Sequence, residues 1–461
     1  MSSTDLFTGW ASLAQLWWTR HGGLPFDTPA DRLDLLVRYA REYSPFYRDL
    51  YEGLPARAVP IASLPPVSKA QLMAHFDAWA TDRRIRLRDV KRFMSARARI
   101  GERLLERYWA WTSSGTSGRP GIFVQDPQAM RIYDALMAVQ MEEAPWRSPQ
   151  PGSALAPNAR AALVVATGGH FASIACWERM RHRFPSFDAR SFSILDPLPS
   201  LVAGLNDFQP GMLSGYATIL GMLADEQAAG RLDIAPSRIW SGGEHLTPAT
   251  RAAIERVFDC PVMNEYGASE CLSIAHECHE GWMHLHHEWV VLEGVDRDGL
   301  PTPPGETSHT TLLTNLANWV QPVIRYDLGD RIVAAARPCA CGNPLPAFRV
   351  EGRTEEPLAL RPARGAAIRL APLALSTVVE EAAGAHRFQI AQVGPARLAL
   401  RFAGRPGAKV RARAAAALKS WLRVQSLPDV ELVQDPAPPR FDQPSGKLRT
   451  VVVEEARPTR H

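Results

Sequence analysis

The sequence predicts an α/β protein of two parts, a large N-terminal domain with mixed and parallel sheets and a small α+β domain at the C-terminus. Three observations carry this. The chain has 461 residues, more than one hydrophobic core usually serves. Between Tyr108 and Val350, short apolar runs end in glycines and alternate with helical stretches, which is how a parallel sheet is usually written. From Pro357 onward a compact tail begins, with its own cycle of helices and strands.

Each element follows in order. Residues 1 to about 107 read as helices broken at Pro25, Pro29, Pro55, Pro60, Pro65 and Pro66. In Asp31–Ala40 the apolar residues recur three and four apart, and Thr28-Pro29 caps the start. The Trp17-Trp18 pair fits a packed amphipathic helix. Ala162–Ala166 reads as a strand and Met222–Gly230 as part of a helix. In the tail, Pro372–Ala383 reads as a helix, Phe388–Val393 and Ala396–Phe402 as a strand pair, and Val410–Val424 as an amphipathic helix.

Composition excludes several classes. Apolar residues make up 46% and charged residues 22%, the balance of a soluble globular chain. A net charge of +4 lacks the concentrated basic face of a nucleic-acid binder. No apolar run reaches the ~18 residues of a membrane span. Met1–Arg20 carries Asp5 and no basic stretch ahead of an apolar core, so no secretory signal is expected and the expected location is cytoplasmic. The six cysteines are then expected reduced, with metal binding the reading to test.

Six short motifs carry chemistry. Thr112-Ser113-Ser114-Gly115-Thr116-Ser117-Gly118 alternates hydroxyls with glycines, which suits a backbone cradle for pyrophosphate but is not a Walker loop. Trp240-Ser241-Gly242-Gly243-Glu244 closes an apolar stretch. Asn264-Glu265-Tyr266-Gly267-Ala268-Ser269-Glu270 follows, then Val323-Ile324-Arg325-Tyr326-Asp327-Leu328-Gly329-Asp330. Val350-Glu351-Gly352-Arg353 marks the boundary, and Ser445-Gly446-Lys447 lies near the end. Singly, each also reads as a turn, a surface acid or a solvated lysine.

In this order they resemble the adenylate-forming superfamily of acyl-CoA synthetases, peptide-synthetase adenylation domains and luciferases. Within it the chain is similar to the phenylacetate-CoA ligase branch. Ser44-Pro45-Phe46-Tyr47-Arg48, Leu213-Ser214-Gly215-Tyr216 and Pro338-Cys339-Ala340-Cys341-Gly342 add to the likeness, which runs from about residue 35 to 450. The resemblance implies a large ATP- and acid-binding domain over 1–352, a hinge at 353–356, and a mobile small domain over 357–461. It implies that a carboxylic acid, aryl by this branch, becomes an acyl-AMP and then a CoA thioester.

Roles follow by the same resemblance. Thr112 to Gly118 hold the ATP phosphates, Glu270 holds Mg²⁺, Tyr266 stacks on adenine beside Gly267, and Gly242, Gly243 and Glu244 line the base. Asp330 takes the ribose hydroxyls, with Asp327 the competitor. Arg353 supports ribose or phosphate. Lys447 arrives with the small domain to bridge carboxylate and α-phosphate. His170, Phe171, Tyr216 and Trp240 are placed around the acid, the three aromatics forming a flat wall. Two departures stand out: Thr354-Glu355-Glu356-Pro357 replaces the paired aspartate of the hinge, and Arg325-Tyr326-Asp327-Leu328-Gly329-Asp330 replaces the commoner Tyr-Arg-Thr-Gly-Asp.

Cys278, His284, Cys339 and Cys341 form two close pairs. Three thiolates and one imidazole make a closed tetrahedral Zn²⁺ set, structural in kind. Cys271, His286 and His287 are rival ligands. Two other functions remain open: transfer to an acyl carrier protein or another acceptor, and a non-catalytic nucleotide-binding scaffold.

Overall fold

The computed structural model describes residues 28–113, 120–143, 160–184, 187–351, 357–362, 365–385, 388–403, 406–440 and 450–454. The chain divides into two units. The first comprises Met1–Trp111, Ile122–Pro145 and Met263–Arg353; the second comprises Thr112–Gly121, Trp146–Val262 and Thr354–His461.

In the first unit, Thr28 opens helix Pro29–Tyr43 with the expected cap. The Asp31 N–H donates to Thr28 Oγ1 at 3.1 Å, and the Thr28 N–H donates to Asp31 Oδ2 at 2.9 Å, so two orphan donors are satisfied reciprocally. Leu36, Val37 and Ala40 form its buried stripe. Ser44 caps the next helix, Pro45–Leu50, where the buried Tyr47 hydroxyl donates to Pro322 O at 3.0 Å. That bond pins the N-terminal helices to the start of strand Val323–Asp327.

From Val262 to Val350 no helix intervenes. Here the structure departs from the alternation expected as far as Val350. Val262–Ala268, Cys271–Glu277, Met283–Leu285, Ala347–Val350 and Ile332–Ala334 pair side by side, antiparallel throughout. A second antiparallel sheet joins Val290–Val295, Thr310–Asn315 and Val323–Asp327. The connections explain the difference. Only Ser269 and Glu270 separate the first two strands, and a parallel crossover needs a dozen residues or more.

The second unit has the predicted α/β texture. Strands Arg238–Gly242, Met212–Gly215, Ala161–Val165 and Ala189–Ser193 pair in that order, all parallel. Helices Ala172–Arg183, Leu198–Phe208 and Ala217–Ala228 lie between them in sequence. Ala162, Val164, Leu213 and Ile239 bury against Leu205, Leu220 and Leu223.

The tail has its own core of Leu375, Val379, Phe388, Ile390, Leu398, Leu400, Leu418 and Leu422. Its helix runs Pro372–Ala383, as the sequence predicts. The strand pair Phe388–Gly394 and Arg397–Phe402 is antiparallel, and Val451–Val453 and Glu431–Gln434 add to it in parallel. The tail also packs within its unit. Trp421 Nε1 and Gln425 Nε2 both donate to Leu195 O at 2.8 Å, and Arg369 pairs with Asp225. The expected hinge at 353–356 lies outside the described residues. None of the helices described is long and apolar enough to cross a membrane.

Candidate functional site

Glu270 occupies the two-residue turn between strands Val262–Ala268 and Cys271–Glu277, and it is 5% exposed. The backbone of this turn is held from outside it. Trp111 Nε1 donates to Ser269 O at 2.9 Å, and Asn315 Nδ2 donates to Glu270 O at 3.0 Å and to the Tyr133 hydroxyl at 2.7 Å. The Tyr326 hydroxyl donates to Glu270 Oε1 at 2.6 Å. Burial pushes the Glu270 carboxyl above its usual range, against the opposing pull of the Lys69 charge and the Tyr326 hydrogen bond.

A second phenol–acid pair involves Tyr266 on strand Val262–Ala268. The Tyr266 hydroxyl donates to Asp330 Oδ2 at 2.9 Å, and its ring meets Phe348 edge-on at 5.9 Å. Burial, then the Asp330 charge, drives the Tyr266 phenol well above its ordinary value. The rival acid is engaged elsewhere: Asp327 is exposed, and its Oδ1 accepts from the Gly329 N–H and the Thr310 hydroxyl. Gly267 is required between Tyr266 and Ala268, because a Cβ there would stand 2.0 Å from Leu272 O. The strand register also shifts at this point.

In the second unit, the Thr112 N–H donates to His170 O at 2.7 Å, and Thr112 bridges Phe171 in parallel. Ser113 and Gly121 close the base of the following loop: the Ser113 N–H donates to Gly121 O, and the Gly121 N–H donates to Ser113 Oγ at 2.8 Å. His170 is 3% exposed and Trp240 9%; Phe171 is partly buried at the N-terminus of helix Ala172–Arg183. The Tyr216 hydroxyl lies 3.4 Å from Ser173 Oγ, and burial pushes its phenol up to about 12. Gly243 is exposed, with φ +77°, and a Cβ there would meet the Tyr216 ring at 3.1 Å. Glu244 Oε2 accepts the Thr218 N–H at 2.9 Å. It thereby supplies the negative charge that the first turn of helix Ala217–Ala228 lacks.

The third cluster is the cysteine–histidine set. The ligand atoms of Cys278, His284, Cys339 and Cys341 all lie within 4.8 Å of one another. Cys278 Sγ and Cys339 Sγ are 3.7 Å apart, and Cys341 Sγ is 3.2 Å from His284 Nε2. Tetrahedral zinc with ~2.3 Å bonds to sulfur sets its thiolates about 3.8 Å apart, so the donor set fits Zn²⁺. His284 Nδ1 faces Leu345 O at 3.2 Å, which fixes the tautomer that turns Nε2 toward a cation. Burial raises the Cys278 thiol to about 12, a cost that a bound cation reverses. None of the six cysteines is in a disulfide. The rivals sit apart from this set. His286 Nε2 is 2.6 Å from the Gln140 amide, His287 faces Glu288, and Cys271 is buried beside Tyr133.

Among the described residues the structure therefore joins Tyr266 to Asp330, Thr112 to His170 and Phe171, Tyr216 to Gly243, and the four metal-type ligands to one another. Ser114, Gly115, Thr116, Ser117, Gly118, Arg353 and Lys447 lie outside the described residues, as do Trp17 and Trp18. Sequence reasoning passed over Tyr133, Asn315 and Lys69, and it quoted Tyr326 only as part of a motif.

No known family profile matches the sequence. Protein CapK of Staphylococcus aureus is 29% identical over 130 residues, covering 28% of this chain and 27% of CapK, so the match spans about a quarter of that relative. Solved structures match over far more. 2-Hydroxyisobutyryl-CoA ligase with 2-HIB-AMP and CoA in the thioesterification state is 20% identical over 92% of this chain and 89% of that one, with a TM-score of 0.56. Its open conformation, with the same two compounds, is 20% identical over 92% and 90%, with a TM-score of 0.53. The chain thus has the fold of adenylate-forming acyl-CoA ligases.

Proposed function

We propose that the protein activates a carboxylic acid with ATP, releasing pyrophosphate and forming an acyl-AMP, and then passes the acyl group to the thiol of CoA. The observation that supports this most is the pair of phenol–acid contacts, Tyr326–Glu270 and Tyr266–Asp330, in a fold shared with such ligases. The attacking carboxylate and the phosphates are both anions, and charge grows on the leaving pyrophosphate. The site must therefore supply cations and fixed donors.

In the first unit, Glu270 would hold Mg²⁺, whose charge offsets that of the phosphates. The desolvated carboxylate fits this task, because burial already disfavours its charge and a cation relieves the cost. Tyr266 would stack on adenine, and Asp330, oriented by the Tyr266 hydroxyl, would bind the ribose hydroxyls. Arg353 would support ribose or phosphate. In the second unit, the loop from Thr112 to Gly118 would hold phosphate oxygens, and Gly242, Gly243 and Glu244 would line the base. Lys447 would neutralise the α-phosphate as the carboxylate attacks. His170, Phe171, Tyr216 and Trp240 offer an apolar, largely aromatic surface that favours an aryl acid. The cysteine–histidine set would hold a structural Zn²⁺.

The test is product analysis. The enzyme is incubated with ATP, Mg²⁺ and single acids from a panel of aromatic and short hydroxy acids, then quenched for mass spectrometry. Acyl-AMP formed from an aromatic acid, and converted to acyl-CoA when CoA is added, is the expected result. Preference for a short hydroxy acid would overturn the aryl assignment. Acyl-AMP that never yields a CoA thioester would overturn the choice of acceptor.

A further inference from the structure

We propose that Tyr326 is a positioning residue for Glu270: its hydroxyl fixes one carboxylate oxygen and leaves the other for a divalent cation. This rests on the reading of Glu270 as the cation-holding acid. Tyr326 suits the task because it cannot itself move. It is 1% exposed, and its ring meets Phe123 edge-on at 6.5 Å. Its strand is bridged to Val67, whose N–H donates to Arg325 O at 3.0 Å and whose carbonyl accepts the Asp327 N–H at 2.9 Å.

Glu270 is held at its backbone by residues distant in sequence. Trp111 and Asn315 fix the carbonyls of Ser269 and Glu270, and the carboxylate itself is met by its own backbone N–H and by the Tyr326 hydroxyl. Among the described residues the Tyr326 hydroxyl makes the one side-chain hydrogen bond to that carboxylate. Lys69 and Asp330 act on it through charge, with opposite signs, and Cys271 adjoins it in the chain. A cation held by a misaligned carboxylate binds more weakly, although the remaining steps are untouched. Outer hydrogen-bond partners of metal ligands act in this way, with effects of about 10–100-fold on affinity.

The experiment compares wild type, Tyr326→Phe, Glu270→Gln and the double variant in acid-dependent ATP–pyrophosphate exchange, titrated with Mg²⁺. Tyr326→Phe should raise the Mg²⁺ concentration for half-maximal rate by about tenfold, with the rate at saturating Mg²⁺ within a few-fold of wild type. Calorimetric binding of Mn²⁺ with ATP should weaken by the same factor. An unchanged half-saturation in Tyr326→Phe, beside an inactive Glu270→Gln, overturns the inference. An active Glu270→Gln with ordinary Mg²⁺ dependence overturns the reading of Glu270 instead. Should Tyr326→Phe fail to fold, the double variant decides, since the charge that needs the hydroxyl is gone. A folded double variant supports the contact, and an unfolded one makes Tyr326 a packing residue and overturns the proposal.

Discussion

Strand Cys271–Glu277 carries different chemistry at its two ends, about 23 Å apart at ~3.3 Å per residue. Glu270 precedes it, and Cys278 follows it. At the Glu270 end the acid lies beside the Tyr326 phenol, and a second phenol–acid pair, Tyr266–Asp330, stands farther along, where Tyr266 pairs with Ala275. At the Cys278 end four soft donors converge on one point with nothing left over. An open carboxylate arrangement suits a hard cation shared with substrate oxygens. A closed thiolate–imidazole set suits a metal that never meets substrate. On the proposed function, one strand would serve both as a reacting edge and as a staple for the sheet.

The largest effect should come from breaking the staple. The purified protein should contain about one zinc per chain, and Cys339→Ser should lose that zinc and a large part of the folded population, because structural zinc binding is folding free energy. Metal analysis beside thermal unfolding checks this. Zinc far below one equivalent, with no loss of stability on chelation, would remove one side of the comparison.

Lys447→Ala should lower exchange by about 10²–10³, the usual cost of one group that acts on transition-state charge. Its folding and ATP binding should be unchanged by equilibrium dialysis and thermal unfolding. A loss of fold would show that the lysine belongs to the core of the tail.

Glu270→Gln separates activity from stability. Burial raises the Glu270 carboxyl in the folded state, so the stability it contributes is present below the unfolded pKa and lost as pH rises through the folded one. At pH 8 and free of metal, Glu270→Gln should therefore unfold at a higher temperature than wild type, and the gain should vanish as the pH is lowered toward 4. A lower unfolding temperature at pH 8 would mean that the charge is already well satisfied.

The smallest effect is expected at Gly243. Gly243→Ala places a side chain at φ +77°, 3.1 Å from the Tyr216 ring. A left-handed non-glycine residue costs about 1–2 kcal/mol. The variant should show a small drop in unfolding temperature and a raised KM for ATP or acid, with zinc content unchanged. Loss of zinc in this variant would show that the two functions are not separable.

The tail was legible because its signals are local. Prolines, apolar spacing and a short turn set helix Pro372–Ala383 and the pair that follows it. The parallel strands of the second unit were legible for the same reason. The antiparallel stretch after Val262 was read as more of the same alternation, because a buried apolar run does not declare which neighbour it pairs with. The motif residues Tyr266, Glu270 and Asp330 stood out through their glycines and their order along the chain. Their partners did not. Asn315 reaches Tyr133 across 182 residues and Tyr326 reaches Glu270 across 56, and each looks like an ordinary strand residue until the sheets are assembled. The cysteine–histidine set was found because its ligands come in close pairs, although spacing alone could not tell the rivals His286, His287 and Cys271 from ligands.

The central claim is that the Glu270 end of the strand performs acid adenylation, and isotope exchange between pyrophosphate and ATP measures it most directly. Wild-type protein with Mg²⁺ and an aromatic acid should exchange label, and omission of the acid should stop it. Glu270→Gln, with zinc content and fold intact, should exchange at least about 10²-fold more slowly. Exchange that needs no acid, or that Glu270→Gln leaves unchanged, would contradict the account.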